Sequence, residues 1–409
     1  MKFFQVKSVS ETFSLIGELI PTFEQTRKVP LEEALGFVAS CDIYAKENIP
    51  NFRRSTVDGY AIIAADSFGA SDSMPAFFTM IGEVLMGEAP NKTIQPSQAM
   101  YVPTGAMIPD GADAVVMIEY SEDINSLLNV YKQVAPGENI ISVGEDIKAK
   151  EVLIKKGTLL RAQELGALAS QGILEVSVYK KPVVGYLSTG DEIVALEQQQ
   201  LAPGQVRDMN GVTIGALVKS WGYDFIYGGI VQDDKTAFEK AAKEMFERVD
   251  CLICSGGSSV GTKDYSVEVI DSLGKPGVFV HGITIKPGKP TILSLAGNKP
   301  VIGLPGHPAS AMVIFELFGK AVLAKLQGLP IEQKQLTYAY STKKIPSAAG
   351  RTDYVRVRLF QEDGKWFADP LFGKSSLIST LVQSDGLLEI DERKEGVLKD
   401  ELVPIRLFQ

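Results

Sequence analysis

The stretch Asp250–Tyr265, DCLICSGGSSVGTKDY, constrains the fold of this chain more than any other. Asp250–Cys254 is a short apolar run, as expected for a buried parallel strand, and the glycine- and serine-rich run Ser255–Ser259 follows at once. Glycine permits positive φ and leaves backbone amides unshielded, so N–H groups between a strand and a helix that begins near Asp264 can bind an anion. The stretch therefore predicts either an anion-binding loop or a glycine-rich structural turn.

A nucleotide-binding P-loop is excluded at this position. Gly256 and Gly261 have the required glycine spacing, but Thr262 precedes Lys263, whereas the P-loop needs lysine before the hydroxyl. The functional interpretation that remains is an anion-binding loop with the carboxylate of Asp264 at its exit.

Length and charge bound the possible functions. With 409 residues the chain is too long for one hydrophobic core, and two to four domains are expected. Its net charge of −9 argues against a general nucleic-acid surface but allows an anionic small ligand held by a few local cations. No apolar run is long enough to span a membrane, and no signal-peptide core follows Met1–Phe4, so we expect a cytoplasmic protein.

Cysteine and histidine are too scarce for a zinc site of the usual kind. The chain has three cysteines and two histidines, and Cys251 and Cys254 fall within the predicted strand, where residues three apart face opposite sides. We interpret both as small core residues. Any metal should be hard and oxygen-bound, which favours magnesium.

The order of predicted elements divides the chain. Ser8–Ile20, Leu31–Ala39 and Leu159–Gln171 show helical patterns, whereas the residues between the second and third helices form short apolar runs typical of strands. After Pro182, strands and helices alternate as in a doubly wound α/β domain, and the chain from about Gln335 is again β-rich. The predicted domains are an elongated N-terminal domain (1–48 plus 147–179), an inserted β-rich domain (49–146), an α/β domain (180–329) and a C-terminal β domain (330–409).

Carboxylates follow several strands of the predicted α/β domain. Glu192, Asp233 and Asp264 each fall at the carboxyl end of a strand, as does the turn Pro305–Pro308. Ligands of open α/β sheets bind beyond the carboxyl ends of the strands, so these residues should converge on one crevice. Three carboxylates there suit magnesium held between the protein and a phosphorylated ligand, although each could instead be a helix cap.

Cationic and hydroxyl side chains form a second set. Lys286-Pro287-Gly288-Lys289-Pro290 presents two ammonium groups on a stiff backbone, which captures an anion at low cost in ordering entropy. The alternative is a solvated turn. Arg351 and the pair Ser375-Ser376 would add a planar donor fork and hydroxyls, and His307 is either a base or a hydrogen-bonding spacer.

Seven motifs of this sequence, in order over essentially the whole chain, resemble the molybdopterin molybdenumtransferase family, which includes the E domain of gephyrin. They are TVDGYA at Thr56–Ala61, PTGA at Pro103–Ala106, GADAVV at Gly111–Val116, STGDE at Ser188–Glu192, SGGSSVG at Ser255–Gly261, KPGKP at Lys286–Pro290 and LPGHPAS at Leu304–Ser310. The chain departs from the family pattern at Ser258, His307 and Ser376, where valine, asparagine and glycine are common.

The resemblance implies an α/β multidomain protein whose C-terminal domain is a β-barrel, assembled as a homodimer. It also implies a magnesium-dependent reaction of adenylylated molybdopterin with molybdate that gives molybdenum cofactor and AMP, and it makes the adenylyltransferase of the same pathway a candidate partner. The implied catalytic residues are Asp58, Thr104, Glu192, Asp233 and Asp264, of which the last three are the candidate metal ligands. The candidate substrate-binding residues are Ser255, Gly256, Gly257, Ser259, Lys286, Lys289, Pro305, Pro308, Ser310, Arg351, Ser375 and Ser376.

Two other functions remain open for this fold. An adenylyltransferase shares the glycine-rich loop of the α/β domain, but the extra segments before Lys180 and after Gly328 argue against it. A non-catalytic scaffold, like gephyrin in receptor clustering, is disfavoured by the retained carboxylates and the KPGKP motif. Because the insertion should project away from the crevice of its own chain, we expect the active site to be shared between two chains.

Overall fold

The computed structural model describes residues 6–256, 265–331 and 336–408. The predicted first helix is confirmed as Val9–Leu19, and it begins with a capping box in which Ser8 and Glu11 bond each other's backbone N–H. Its apolar side does not remain with the N-terminal strands but packs into the core of the α/β domain, where the rings of Phe13 and Phe318 lie 4.9 Å apart. The N-terminal helix therefore ties the start of the chain to its centre.

The elongated N-terminal part is built from residues on both sides of the insertion. The strands Thr26–Pro30 and Glu175–Tyr179 pair antiparallel, and so do Ile43–Tyr44 and Val152–Ile154. The predicted third helix is confirmed as Ala162–Ser170. A small core between these elements is shared by residues from before and after the insertion.

The predicted helix over Leu31–Ala39 is wrong. Only a short 3₁₀ turn, Leu31–Glu33, forms there. Gly36 has φ +74°, which stops helix propagation, and the backbone of Val38 and Ala39 instead bridges Leu159 and Val178. Pairing with the strands of the second segment overrides the local helical pattern.

The insertion is β-rich, as predicted. Its sheet has six strands whose two faces carry separate apolar clusters, with Tyr60 and Ile62 on one face and Ala61 on the other. In spatial order the strands are Ala114–Met117, Gly59–Ile62, Gln98–Val102, Ala76–Glu83, Leu127–Val130 and Ser121–Ile124. A further pair, Arg54–Ser55 with Ile140–Ile141, lies at the base of the insertion.

The central domain has a six-stranded sheet with helices on both faces. Four strands are parallel, as predicted, whereas the antiparallel hairpin Pro276–Ala296 at one edge was not foreseen. The spatial order is Asp224–Val231, Val183–Thr189, Cys251–Ser255, Lys299–Leu304, Ile292–Ala296 and Pro276–His281. The helices are Met209–Ser220, Lys235–Arg248, Ser266–Ser272, Pro308–Ile314 and Lys320–Leu326, with the π-helical turn Phe315–Gly319 joining the last two. The short strands Ile193–Val194 and Val206–Arg207 pair beside the sheet.

This strand order creates a switch point. The first strand of the domain, Val183–Thr189, lies between the second and third, so the chain turns in opposite directions on leaving Thr189 and Ser255. In doubly wound sheets the ligand crevice forms at such a point.

The C-terminal domain is a closed barrel, as the resemblance implied. Five strands close the ring because Thr352–Glu362 pairs with both Lys365–Pro370 and Gly386–Ile390; the other two are Leu336–Ser341 and Leu402–Leu407. The short strand Ile285–Lys286 from the central part of the chain adds to the barrel in parallel with Thr352 and Asp353. This pairing brings the KPGKP motif to the barrel. The remaining short elements are Ile345–Pro346 with Gly396–Val397 and the helix Ser379–Val382.

Candidate active site

The loops at the switch point pack backbone to backbone. Gly256 has φ +111°, and a Cβ at this position would lie 2.0 Å from the carbonyl oxygen of Thr189. No other residue fits there without moving one of the two loops. The start of the predicted anion-binding loop is therefore held against the STGDE loop, whereas Gly257, Ser259 and Asp264 lie outside the described residues.

Asn210 joins two of the loops that should bind the substrate. It lies at the start of the helix Met209–Ser220 and is 7% exposed. Its Nδ2 donates at 2.9 Å to Ser255 Oγ and at 2.9 Å to the carbonyl oxygen of Gly306, in the turn that precedes the helix Pro308–Ile314. Sequence reasoning missed this residue because a single asparagine in a helix carries no motif.

The neighbouring Asp208 holds the start of the same helix. Its carboxylate accepts hydrogen bonds from the Gly211 N–H at 3.0 Å, the Ser188 hydroxyl at 2.7 Å and the Tyr227 hydroxyl at 2.8 Å. Burial, and then the bond to Asp208, raise the pKa of the Tyr227 phenol. Asp208 thus links the helix cap to the strand end at Ser188 and to the neighbouring strand.

Glu192 and Asp233, the candidate carboxylates at two strand ends, are exposed and lie on adjoining loops. The backbone N–H of Asp233 donates to Asp191 Oδ1 at 3.0 Å, so the loop that carries Glu192 is bonded to the loop that carries Asp233. Asp191 was not predicted as part of the site. Carboxylate oxygens suit a hard cation in their chemistry, but within the described ranges no three acidic, histidine or cysteine side chains are grouped to hold a metal.

A cavity of about 840 Å³ collects the predicted oxyanion ligands between the central domain and the barrel. Lys286, Lys289, Ser310, Arg351 and Ser375 all line it. The Lys286–Pro290 loop packs closely against the adjoining helix: a Cβ at Gly288, where φ is +107°, would lie 2.3 Å from Ile314 Cγ1. This close packing fixes the loop that presents the two lysines. The pocket does not include Pro305 or Ser376 among its lining residues.

A buried carboxylate orients two of these cations. Asp353 is 2% exposed; its Oδ1 accepts from Arg351 Nε at 2.8 Å and its Oδ2 lies 3.8 Å from Lys286 Nζ. The register of the short parallel pairing places Lys286 directly beside Asp353. We did not predict Asp353, although residues two apart in a strand share a face and Arg351 was already a candidate.

The end of the barrel loop contacts the start of the long helix. His307 Nδ1 and Ser375 Oγ lie 3.0 Å apart, and the Ala309 N–H donates to the Ser375 carbonyl oxygen at 3.1 Å. Pro308 is the first helical residue, where its missing N–H costs nothing. His307 is therefore a hydrogen-bonding partner between domains, one of the two roles considered from the sequence.

Asp58 and Thr104 meet in the insertion. Asp58 Oδ1 accepts from the Thr104 N–H at 2.7 Å and from the Thr104 hydroxyl at 3.0 Å. These two bonds, the backbone one first, hold the pKa of Asp58 below its usual value. Both residues are exposed, and no described residue of the insertion lines the oxyanion cavity. Within one chain the candidates thus form three groups, at the insertion, the strand ends and the cavity.

Comparisons with known families cover almost the whole described chain. Residues 7–172 match the MoeA N-terminal region (domain I and II), residues 185–325 match a probable molybdopterin binding domain, and residues 338–408 match the MoeA C-terminal region (domain IV). The last two matches contain the candidate residues around the switch point and the cavity.

Individual relatives are similar over most of their length. The chain is 34% identical to the molybdopterin molybdenumtransferase of Haemophilus influenzae over 98% of both proteins, and 32% identical to that of Bacillus subtilis over 94% of this chain and 90% of the relative. Among solved structures, the molybdopterin biosynthesis MoeA protein of Pyrococcus horikoshii OT3 superposes with a TM-score of 0.83 at 32% identity, covering 99% of this chain and 100% of that one.

Proposed function

Because the chain belongs to the molybdopterin molybdenumtransferase family, an enzyme family of molybdenum cofactor biosynthesis, we propose that it inserts molybdate into adenylylated molybdopterin and releases AMP. The cavity between the central domain and the barrel supports this proposal most directly. In a chain with a net charge of −9, this cavity is lined by five lysine and arginine side chains and one carboxylate, Asp353. A local excess of positive charge attracts an anion despite the overall charge.

The donors of the cavity match a tetrahedral dianion. Lys286 and Lys289 supply ammonium groups, Arg351 a planar fork, and Ser310 and Ser375 hydroxyls, all on its wall. Asp353 keeps the Arg351 fork in one orientation through the bond at 2.8 Å, so less ordering is needed when the oxyanion binds. The cavity holds molybdate, which is a substrate, beside the sulfur atoms of the pterin.

The switch-point loops serve the adenylylated end of the substrate. The loop after the strand Cys251–Ser255 would bind the pyrophosphate through its backbone N–H groups, and the Asn210 hydrogen bonds hold Ser255, at the end of that strand, to the turn at Gly306. Glu192, Asp233 and Asp264 would hold Mg²⁺, which supplies positive charge beside the phosphates. Hydrolysis breaks one phosphorus–oxygen bond of the pyrophosphate, and the oxygen of water ends on phosphorus as AMP leaves.

The separation of the site residues supports a shared active site. Asp58 and Thr104 lie in the insertion and line no part of the oxyanion cavity, so a homodimer in which the insertion of one chain covers the crevice of the other would complete the site.

The adenylyltransferase of the same pathway is the proposed partner that delivers the substrate, and we place the reaction in the cytoplasm. Among the residues that the structure describes, no helix is long and apolar enough to cross a membrane.

Turnover of the adenylylated substrate tests the proposal. The purified chain is incubated with adenylylated molybdopterin, magnesium and molybdate; AMP is quantified by chromatography, and the product is used to activate a cofactor-free molybdenum enzyme. We expect AMP and active cofactor to appear together and to depend on molybdate. Lys286→Ala should reduce both, whereas Lys343→Ala, which removes an ion pair to Asp369 outside the cavity, should not. If correctly folded protein releases no AMP in this assay, the proposal is overturned.

A further inference from the structure

Arg356 is an arginine of the cavity wall to which no role has been given. It lies in the barrel strand Thr352–Glu362, and its alternate neighbours show how it is placed: Tyr354 packs into the core of the central domain, whereas Arg358 is exposed. Residues two apart in a strand share a face, so this face runs from the domain interface to solvent. Arg356 stands between the two, 8% exposed, and lines the cavity.

The guanidinium of Arg356 is incompletely satisfied by the protein. Its Nη2 donates to the carbonyl oxygen of Gly373 at 3.1 Å, and its Nε is buried without a hydrogen-bond partner in the described part of the chain. Arg351, which directly precedes this strand, differs because its Nε is paired with Asp353 Oδ1 at 2.8 Å. No ion pair of this kind joins Arg356 to a described carboxylate, and burial lowers the pKa of the Arg356 guanidinium.

A buried cation of this kind is costly in the free protein. Arginine is rarely buried unless a carboxylate or another anion pairs with it, since removing the charge from water carries a large desolvation penalty. A neutral carbonyl group offsets only part of that penalty. The cost is recovered if an anion enters the cavity, because a charge-assisted hydrogen bond to a buried group is stronger than one in open water.

We propose that Arg356 forms an anion subsite of the cavity, distinct from the set formed by Lys286, Lys289 and Arg351. Its ligand is a tetrahedral oxyanion group, which can come from the free oxyanion or from a phosphoryl group of the pterin substrate; the second source rests on the proposed function. The planar fork of arginine suits two oxygens of such a group. A cavity of about 840 Å³ also has room for more than one tetrahedral oxyanion.

Three variants separate a ligand-binding role from a structural one. Arg356→Met removes the charge and keeps an unbranched apolar side chain, and Arg356→Lys keeps the charge without the fork. Arg358→Met is the matched control, since it removes an arginine from the same strand and face outside the cavity. For each full-length protein, thermal unfolding is recorded without ligand, and the dissociation constants of molybdate and of inorganic phosphate are measured calorimetrically at constant ionic strength.

The subsite predicts opposite changes in stability and binding. Without ligand, Arg356→Met should unfold at a higher temperature than the unchanged protein, because an unpaired buried charge is gone. Its affinity for at least one anion should fall about 10- to 100-fold, with Arg356→Lys intermediate and Arg358→Met unchanged. A loss confined to phosphate assigns the subsite to a phosphoryl group, and a loss for molybdate assigns it to the free oxyanion.

The inference is overturned if the dissociation constants of both anions are unchanged in Arg356→Met. A lower unfolding temperature in that case would show that Arg356 serves only to hold the Gly373 loop. If Arg356→Met does not fold, the test is made on Arg356→Lys. Unchanged dissociation constants of molybdate and phosphate in that variant decide against the subsite. These readouts need no turnover, so they stand apart from the test of the proposed transfer reaction.

Discussion

Replacing Asn210 by alanine should uncouple the two loops that we propose to hold the substrate. The substitution removes both Nδ2 hydrogen bonds, to Ser255 Oγ and to the Gly306 carbonyl oxygen, each 2.9 Å long. At about 0.5–1.5 kcal/mol for each bond, and with about 1 kcal/mol for the small cavity that remains, the central domain should lose about 2–4 kcal/mol of unfolding free energy. The domain should still fold, because its large apolar cores are untouched.

The kinetic effect should exceed what the lost stability explains. A displacement of about 1 Å in a positioning loop can reduce a rate about 100-fold, so kcat/KM for AMP release should fall by at least about tenfold at temperatures where the variant is fully folded. Thermal unfolding and steady-state kinetics are measured on the same preparation.

Gln171→Ala is the control for this experiment. Gln171 is also a buried amide, 3% exposed, whose Oε1 accepts from the Lys46 and Glu47 N–H groups in the N-terminal part, outside every candidate site group. It should cost comparable stability and leave kcat/KM unchanged. Equal kinetic losses in the two variants, or normal kinetics in Asn210→Ala, would refute the coupling.

Three further predictions concern the separate groups of candidate residues. Thr104→Val removes the hydroxyl but keeps the backbone N–H, so the lowered pKa of Asp58 should rise part of the way to its usual value in an NMR titration. Because the pKa of Asp58 is lowered on folding, the stabilisation from these bonds is complete above the ordinary pKa of aspartate and is lost as the pH falls through the lowered pKa. An unchanged pKa of Asp58 in Thr104→Val would contradict the prediction. Lys286→Ala and Lys289→Ala should each raise the KM for molybdate about tenfold, and sulfate should compete with molybdate in the unchanged protein. If neither substitution changes activity at limiting molybdate, the Lys286–Pro290 loop is only a structural turn. Inactive Asp58→Ala and Asp233→Ala chains, refolded together, should recover about a quarter of the activity if the site is shared, and confirmed mixed dimers without activity would place both residues in one site of one chain.

Much of the central domain was predictable because its signals are local. The apolar run Asp250–Cys254 is continuous in sequence, and the predicted strand occurs in the structure as Cys251–Ser255, one residue from the expected bounds. The hairpin Pro276–Ala296 was missed since its strands pair with each other at an edge and carry no strong alternation. The helix predicted over Leu31–Ala39 failed because its partners lie more than 100 residues later in the chain.

The candidate site shows the same division. Lysines in a proline-rich loop and carboxylates after strands can be recognised in the amino-acid sequence, and the structure places the lysines on a cavity wall. Asp353, Asn210 and Asp191 act by holding other residues, and their partners are set by strand register and loop packing. Such supporting residues become recognisable only when the three-dimensional contacts are known.

The way the insertion joins the rest of the chain has a genetic consequence. The polypeptide enters and leaves it through the paired strands Ile43–Tyr44 and Val152–Ile154, so the two junctions are neighbours, and the insertion has apolar clusters of its own. A short turn could close the gap if the intervening codons were deleted. The shortened gene would encode the complete oxyanion cavity without Asp58 and Thr104. Recombination at these junctions can therefore exchange the insertion, with Asp58 and Thr104, between related genes, while the oxyanion cavity is inherited unchanged.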